Sequence, residues 1–172
     1  MRRLLFGLSL SIALVAQSPN TTTSPIAIAL DATDAPRHIL HAKLSIPAKP
    51  GALTLLYPKW LPGEHGPTGP VTDLVNLRFT ANGKPLAWRR DLVEMYALHL
   101  DVPQGANTVE ASLDFISPTI STGFSSGASI TEKLAVLSWN QVLLYPKGAQ
   151  GDAITFTASL KLPLGWGFGT AL

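Results

Sequence analysis

The stretch YPKWLPGEHGPTGP, residues 57–70, constrains the fold of this chain more than any other. It holds four prolines and three glycines around Trp60, Glu64 and His65. Proline fixes φ and removes a backbone donor, while glycine opens the left-handed region. Neither a helix nor a central strand can run through such a mixture. The stretch reads as a rigid, irregular loop with several corners set in advance. Loops specified this closely carry function more often than mere connection, so its polar residues are the first candidates for a site.

The runs on either side read as strands. Residues 26–30, 39–46 and 52–57 lead into the loop. Beyond it, 75–81 alternates Val75, Leu77 and Phe79 against Asn76, Arg78 and Thr80. Asn82-Gly83 is the strongest short-range hairpin signal and predicts a return strand over 85–89. Runs at 95–102, 108–116, 134–145 and 154–162 complete the set, with turn clusters at 48–51, 103–107, 117–129 and 146–152. Such spacing predicts an all-β, antiparallel, sandwich-like domain. Residues 71–74 can make one helical turn, and Ser129-Ile-Thr-Glu132 imitates a capping box, but no long helical period follows either. Residues 121–129, rich in Gly and Ser, read as a mobile loop.

Met1-Arg2-Arg3 followed by the apolar residues 4–16 reads as a secretory signal occupying 1–18. The apolar run is shorter than the ~20 residues of a membrane-spanning helix. A polar linker, 19–25, precedes the domain at 26–172, and the expected location is periplasmic or secreted, with no membrane association after cleavage. Without Arg2 and Arg3, eleven basic residues balance eleven acidic ones. The overall net charge of +2 therefore belongs to the signal, and no nucleic-acid footprint remains. There is no cysteine, which excludes disulfides, thiol catalysis and cysteine-ligated metals.

The four histidines are His38, His41, His65 and His99. A helical zinc-peptidase motif needs H-E-x-x-H, and none of them fits it. Glu64-His65 has the order reversed, and Gly66-Pro67 forbids a following helix. His38 and His41 lie three apart, an odd separation that puts strand residues on opposite faces, so they read as polar strand residues. Gly123-Phe-Ser-Ser-Gly127 matches a nucleophile elbow by coincidence, because no histidine follows His99. The glycine triplet Gly63, Gly66 and Gly69 lacks the lysine and helix of a phosphate loop. Trp60, Trp88, Trp139 and Trp166 raise the alternative of a glycan platform, but Trp88 and Trp139 read as core residues. Trp60, inside the rigid loop, is the exception. No catalytic, metal or cofactor-binding residue is expected in this chain.

Residues 57–70, with Thr80-Ala-Asn-Gly83, Trp88-Arg-Arg-Asp91, Met95-Tyr96, Trp139-Asn-Gln141, Tyr145-Pro146, Leu162-Pro-Leu-Gly-Trp166 and Thr170-Ala-Leu172, resemble the N-terminal domain of the glycyl-aminopeptidase family. These are thermolysin-like zinc metallopeptidases with a C-terminal PDZ domain. The resemblance implies a β-domain that shapes or covers the cleft of a catalytic domain, its partner. It also implies that zinc and the release of N-terminal glycine or alanine from peptides belong to that other domain. The sequence stops at Leu172, before the zinc motif would come, so a fragment inactive by itself is expected. Glu64 is the one acid in the rigid loop, which makes Glu64, His65 and Trp60 the candidate substrate-binding residues. A carboxylate fixed near a peptide's α-ammonium is the simple electrostatic solution. The competing account has Glu64 and His65 satisfying backbone groups within the loop. Two rival functions remain: a stand-alone periplasmic module binding peptide or glycan through 60–70, and an interaction protein using an exposed sheet edge.

Overall fold

Apolar–polar alternation builds the centre of the largest of the three sheets among the described residues. The computed structural model describes residues 24–119, 128–149 and 154–170. Ile26, Ile28 and Leu30 of β1 (Ile26–Asp31) point inward with Leu40, Ala42, Leu44 and Ile46 of β2 (Ile39–Pro47). Val109, Ala111, Leu113 and Phe115 of β8 (Thr108–Ile116) extend the same face. With β4 (Leu74–Ala81), β5 (Lys84–Leu86) and β12 (Phe156–Lys161), these strands form six in the order β12-β1-β2-β8-β4-β5. The second sheet has the order β11-β3-β7-β6, from β3 (Gly51–Leu56), β6 (Trp88–Arg90), β7 (Ala97–Val102) and β11 (Tyr145–Pro146). Its Leu55, Leu98, Leu100 and Val102 join the residues of the first sheet in one buried cluster. Each such side chain removed from water contributes about 2 kcal/mol. Two-residue strands β9 (Ser129–Ile130) and β10 (Ala135–Val136) pair separately. The all-β sandwich expectation holds.

Four local expectations need correction. First, β12 runs parallel to β1, the one parallel pair of that sheet among the described residues. These strands are far apart in sequence, so no tight turn dictates their relative direction. Second, the return strand after Asn82-Gly83 is not continuous. The turn itself is as expected, with φ of 50° and 73°, the left-handed pair a two-residue hairpin needs. The chain then changes sheets at Ala87: β5 pairs with β4, and β6 pairs with β7. Phe79 and Trp88 meet edge to face across that corner, centroids 5.9 Å apart.

Third, a bulge between Val75 and Arg78, with Asn76 at φ 55°, resets the phase of β4. Leu74 and Phe79 are therefore both buried while Val75 is exposed, contrary to simple alternation. Fourth, 134–145 is not one strand. It contains β10, a 3-10 turn at Trp139–Gln141, and β11. Ser138 and Gln141 form a true capping box there, with the Ser138 amide donating to Gln141 Oε1 at 3.0 Å. Ser129-Ile-Thr-Glu132 instead begins in β9. The single helical turn expected at 71–74 is a 3-10 turn, Val71–Asp73. The signal segment, the G-x-S-x-G match at 123–127 and most of the glycine–serine loop lie outside the described residues.

The solvent face of the larger sheet carries a polar row across neighbouring strands. Lys161 Nζ donates to Asp31 at 2.8 Å, and His41 Nδ1 lies 2.7 Å from Asp114. The other ring nitrogen of His41 is 3.3 Å from Asp34, and Asn76 donates to Asp114 at 3.0 Å. His38 is not a strand residue at all: it ends a 3-10 turn at φ 64°. Asp114, then Asp34, raise the pKa of His41 above its ordinary 6.5, with partial desolvation opposing them. A histidine pKa raised by folding stabilises the native state fully below the unfolded value and loses that contribution as pH rises through the folded one. The midpoint of thermal unfolding should therefore fall between about pH 6 and pH 8, and His41→Gln should flatten that decline. An identical slope in both proteins would refute the assignment.

Candidate functional site

The loop 57–70 leaves β3 through Tyr57, which is 1% exposed. The Tyr57 amide donates to the Tyr96 carbonyl at 2.9 Å, continuing the β3–β7 ladder one step past Leu56 and Ala97. Its hydroxyl donates to the Gln141 carbonyl at 3.0 Å, and burial pushes the phenol pKa far above its usual value. Lys59 Nζ meets Glu94 Oε2 at 2.6 Å and lies 5.5 Å from the centroid of the Tyr96 ring. That ammonium holds the Glu94 carboxyl below the ordinary carboxylate range. Leu61, 7% exposed, anchors the next corner.

Each corner has an identifiable local cause. The Glu64 amide donates to the Leu61 carbonyl at 3.1 Å, with Pro62 and Gly63 between them and Gly63 at φ 86°. Proline followed by a positive-φ glycine is the signature of a type II turn. Two tighter turns follow, from the Thr68 amide to the Gly66 carbonyl at 2.9 Å and from Val71 to Gly69 at 2.8 Å. Pro70, at φ −79° and ψ 59°, is the centre of an inverse γ-turn. The base is closed by the Gly69 amide donating to the Lys59 carbonyl at 3.0 Å. Tyr96 holds the far side: its hydroxyl lies 2.9 Å from the Pro67 carbonyl and 3.0 Å from that of Gly69. The loop is a braced structure.

On this frame Trp60 is 62% exposed, His65 is exposed and Glu64 is half-buried. All three are carried by the loop, and Glu64 and His65 follow directly on the type II turn. Among the described residues no group of three or more His, Cys, Asp or Glu side chains is placed to hold a metal ion. Trp88 and Trp139 pack against the core as expected.

A second feature at the same rim escaped sequence reasoning. Between β6 and β7 the chain turns over residues 91–96 with Leu92 and Val93 98% and 95% exposed. Asp91 Oδ1 accepts the amides of Val93 and Glu94, each at 2.9 Å. Asp91 Oδ2 lies 2.8 Å from His99 Nε2, whose other nitrogen is 3.0 Å from Thr54 Oγ1. The amide of Glu94, then His99 and the amide of Val93, hold the Asp91 carboxyl far below its usual pKa. An Asp binding amides two and three residues on is an ordinary turn signal, and Asp91-Leu-Val-Glu94 displays it.

The Peptidase M61 N-terminal domain family matches residues 27–172. The chain belongs to this family. The resemblance to the N-terminal domain of a peptidase, read from 57–70 and its supporting motifs, is borne out. A search of curated proteins gave no match. Among solved structures, an aminopeptidase N family protein from Idiomarina loihiensis is similar, with a TM-score of 0.67 and 18% identity. The likeness covers 81% of this chain and 22% of that one, so the M61 domain spans about a fifth of that neighbour's length. At such low identity the likeness concerns the fold.

Proposed function

We propose that this M61 domain is the non-catalytic N-terminal part of an exported zinc aminopeptidase, where it shapes or covers the substrate cleft of a separate catalytic domain. The observation that carries this is the braced loop within a family-matched domain, presenting Trp60, Glu64 and His65 on fixed corners. The zinc and the water it activates belong to the catalytic domain, and export to the periplasm or beyond follows from residues 1–18. Glu64 faces the cleft and pairs with the α-ammonium of the incoming peptide, with Trp60 and His65 on the same wall.

The test requires a complete M61 peptidase in which this domain replaces the resident N-terminal one. Glu64→Gln removes one charge and keeps the shape of the side chain. KM for free-amine glycyl and alanyl substrates should rise roughly tenfold, as expected for losing a charged contact of about 1.4 kcal/mol. The melting temperature should stay nearly unchanged. A drop in stability with KM unaltered would make Glu64 a brace of the loop and end its role in anchoring substrate.

A further inference from the structure

The tip of the turn between β6 and β7 buries almost nothing, yet hydrogen bonds fasten the residues on either side of it. Leu92 and Val93 stand 98% and 95% exposed, and Met95 is 50% exposed. Beneath them Asp91 ties down two amides and is itself tied to His99. Arg90 Nη1 donates to the Met95 carbonyl at 2.6 Å, and Glu94 is paired with Lys59. Trp60, also exposed, follows Lys59 directly in the chain. Tyr96 anchors the base of the turn in the core, but the side chains of Leu92 and Val93 gain no burial from the order of its tip. That order lowers the entropic cost of fitting the same side chains into a partner.

We infer that Leu92, Val93 and Met95 form a preformed apolar knob by which this domain docks onto the catalytic domain of the same polypeptide. The inference rests on the reading of the chain as a non-catalytic peptidase domain. Three observations favour this occupant. The similar fold from Idiomarina loihiensis is a fifth of a much longer chain, so it occurs joined to a large remainder. The acids at the knob's rim, Asp91 and Glu94, are matched within the domain by His99 and Lys59, which leaves an apolar tip suited to an apolar socket. A second copy is a poor fit, because a patch of this kind is on the order of 300–600 Å². Two such patches meeting face to face reach at most the lower limit of ~1,200 Å² for a stable dimer.

Hydroxyl-radical labelling of the free domain and of the complete hybrid peptidase tests the assignment. Labelling at Leu92, Val93 and Met95 should drop several-fold in the hybrid, because the well-packed core of an interface excludes water. Leu92→Asp combined with Val93→Asp should leave the free domain's melting temperature unchanged and uncouple its melt from that of the catalytic domain in the hybrid. Unchanged labelling at the knob, with protection elsewhere such as Leu164 and Phe168, would overturn the inference and leave the docking role intact. No protection anywhere would overturn both. Protection of the knob in the free domain at raised concentration would make a second copy the occupant, and would overturn it as well.

Discussion

Replacing Gly69 with alanine is expected to cost the domain about 3 kcal/mol, lowering its melting temperature by roughly 6–12 °C. A Cβ at this position would overlap the carbonyl oxygen of Pro58, and it would lie 3.0 Å from the Pro58 carbonyl carbon and 3.1 Å from Tyr96 Cε1. Two of these obstacles are backbone atoms of a proline that cannot rotate away. The third belongs to the ring whose hydroxyl reaches the Pro67 and Gly69 carbonyls. Relief requires the loop to lift, which breaks the Gly69-to-Lys59 hydrogen bond and loosens Tyr96. Gly69 is not at positive φ, so close approach alone explains the glycine. Gly66 is the matching control: its Cβ would meet only Thr68 Cγ2, at 4.0 Å. Gly66→Ala should change stability by less than about 0.5 kcal/mol. Equal effects at the two positions would show that the loop is not braced as described.

The contrast between Gly66 and Gly69 also marks what the sequence could and could not reveal. The rigidity of 57–70 was legible because Pro and Gly act locally, through φ. The type II turn at Pro62-Gly63 and the hairpin at Asn82-Gly83 follow from the same local rule. That Gly69 is needed for its missing side chain depends on Pro58 and Tyr96, which only the tertiary structure brings together. The strands with clean alternation, 26–30, 39–46 and 108–116, were read nearly to the residue, because burial on one face enforces period two. Where a bulge intervened at Asn76, or the chain crossed between sheets at Ala87, the local pattern still looked like a strand and the pairing could not be foreseen. The segment 134–145 misled for another reason: Val142, Leu143 and Leu144 fill the core from the irregular stretch between the 3-10 turn and β11, while Leu134 and Val136 are exposed. Glu64, His65 and Trp60 became candidates because of the loop that carries them. The knob at 92–95 was missed, because exposed leucine and valine carry no sign of exposure in the sequence.

The second large effect is the difference in activity that the proposed function expects between a complete peptidase and this domain alone. Zinc hydrolysis needs three protein ligands converging on one open site. The histidines here are dispersed. His41 has its two ring nitrogens directed at different carboxylates, Asp114 and Asp34. His99 is held between Thr54 and Asp91. His38 sits on a left-handed turn and His65 on the loop. Recruiting His41 or His99 to a metal would break hydrogen bonds that order a strand row or the knob.

The most direct measurement is therefore made on the purified domain, residues 24–172, supplied with equimolar zinc. Hydrolysis of glycyl and alanyl amides should stay at the uncatalysed background, with no stoichiometric zinc retained after gel filtration and no response to chelator. The same domain within a complete M61 peptidase should show chelator-sensitive turnover, at least about a millionfold above that background. Chelator-sensitive hydrolysis that follows the isolated domain through purification, with zinc bound one to one, would contradict the account at its centre.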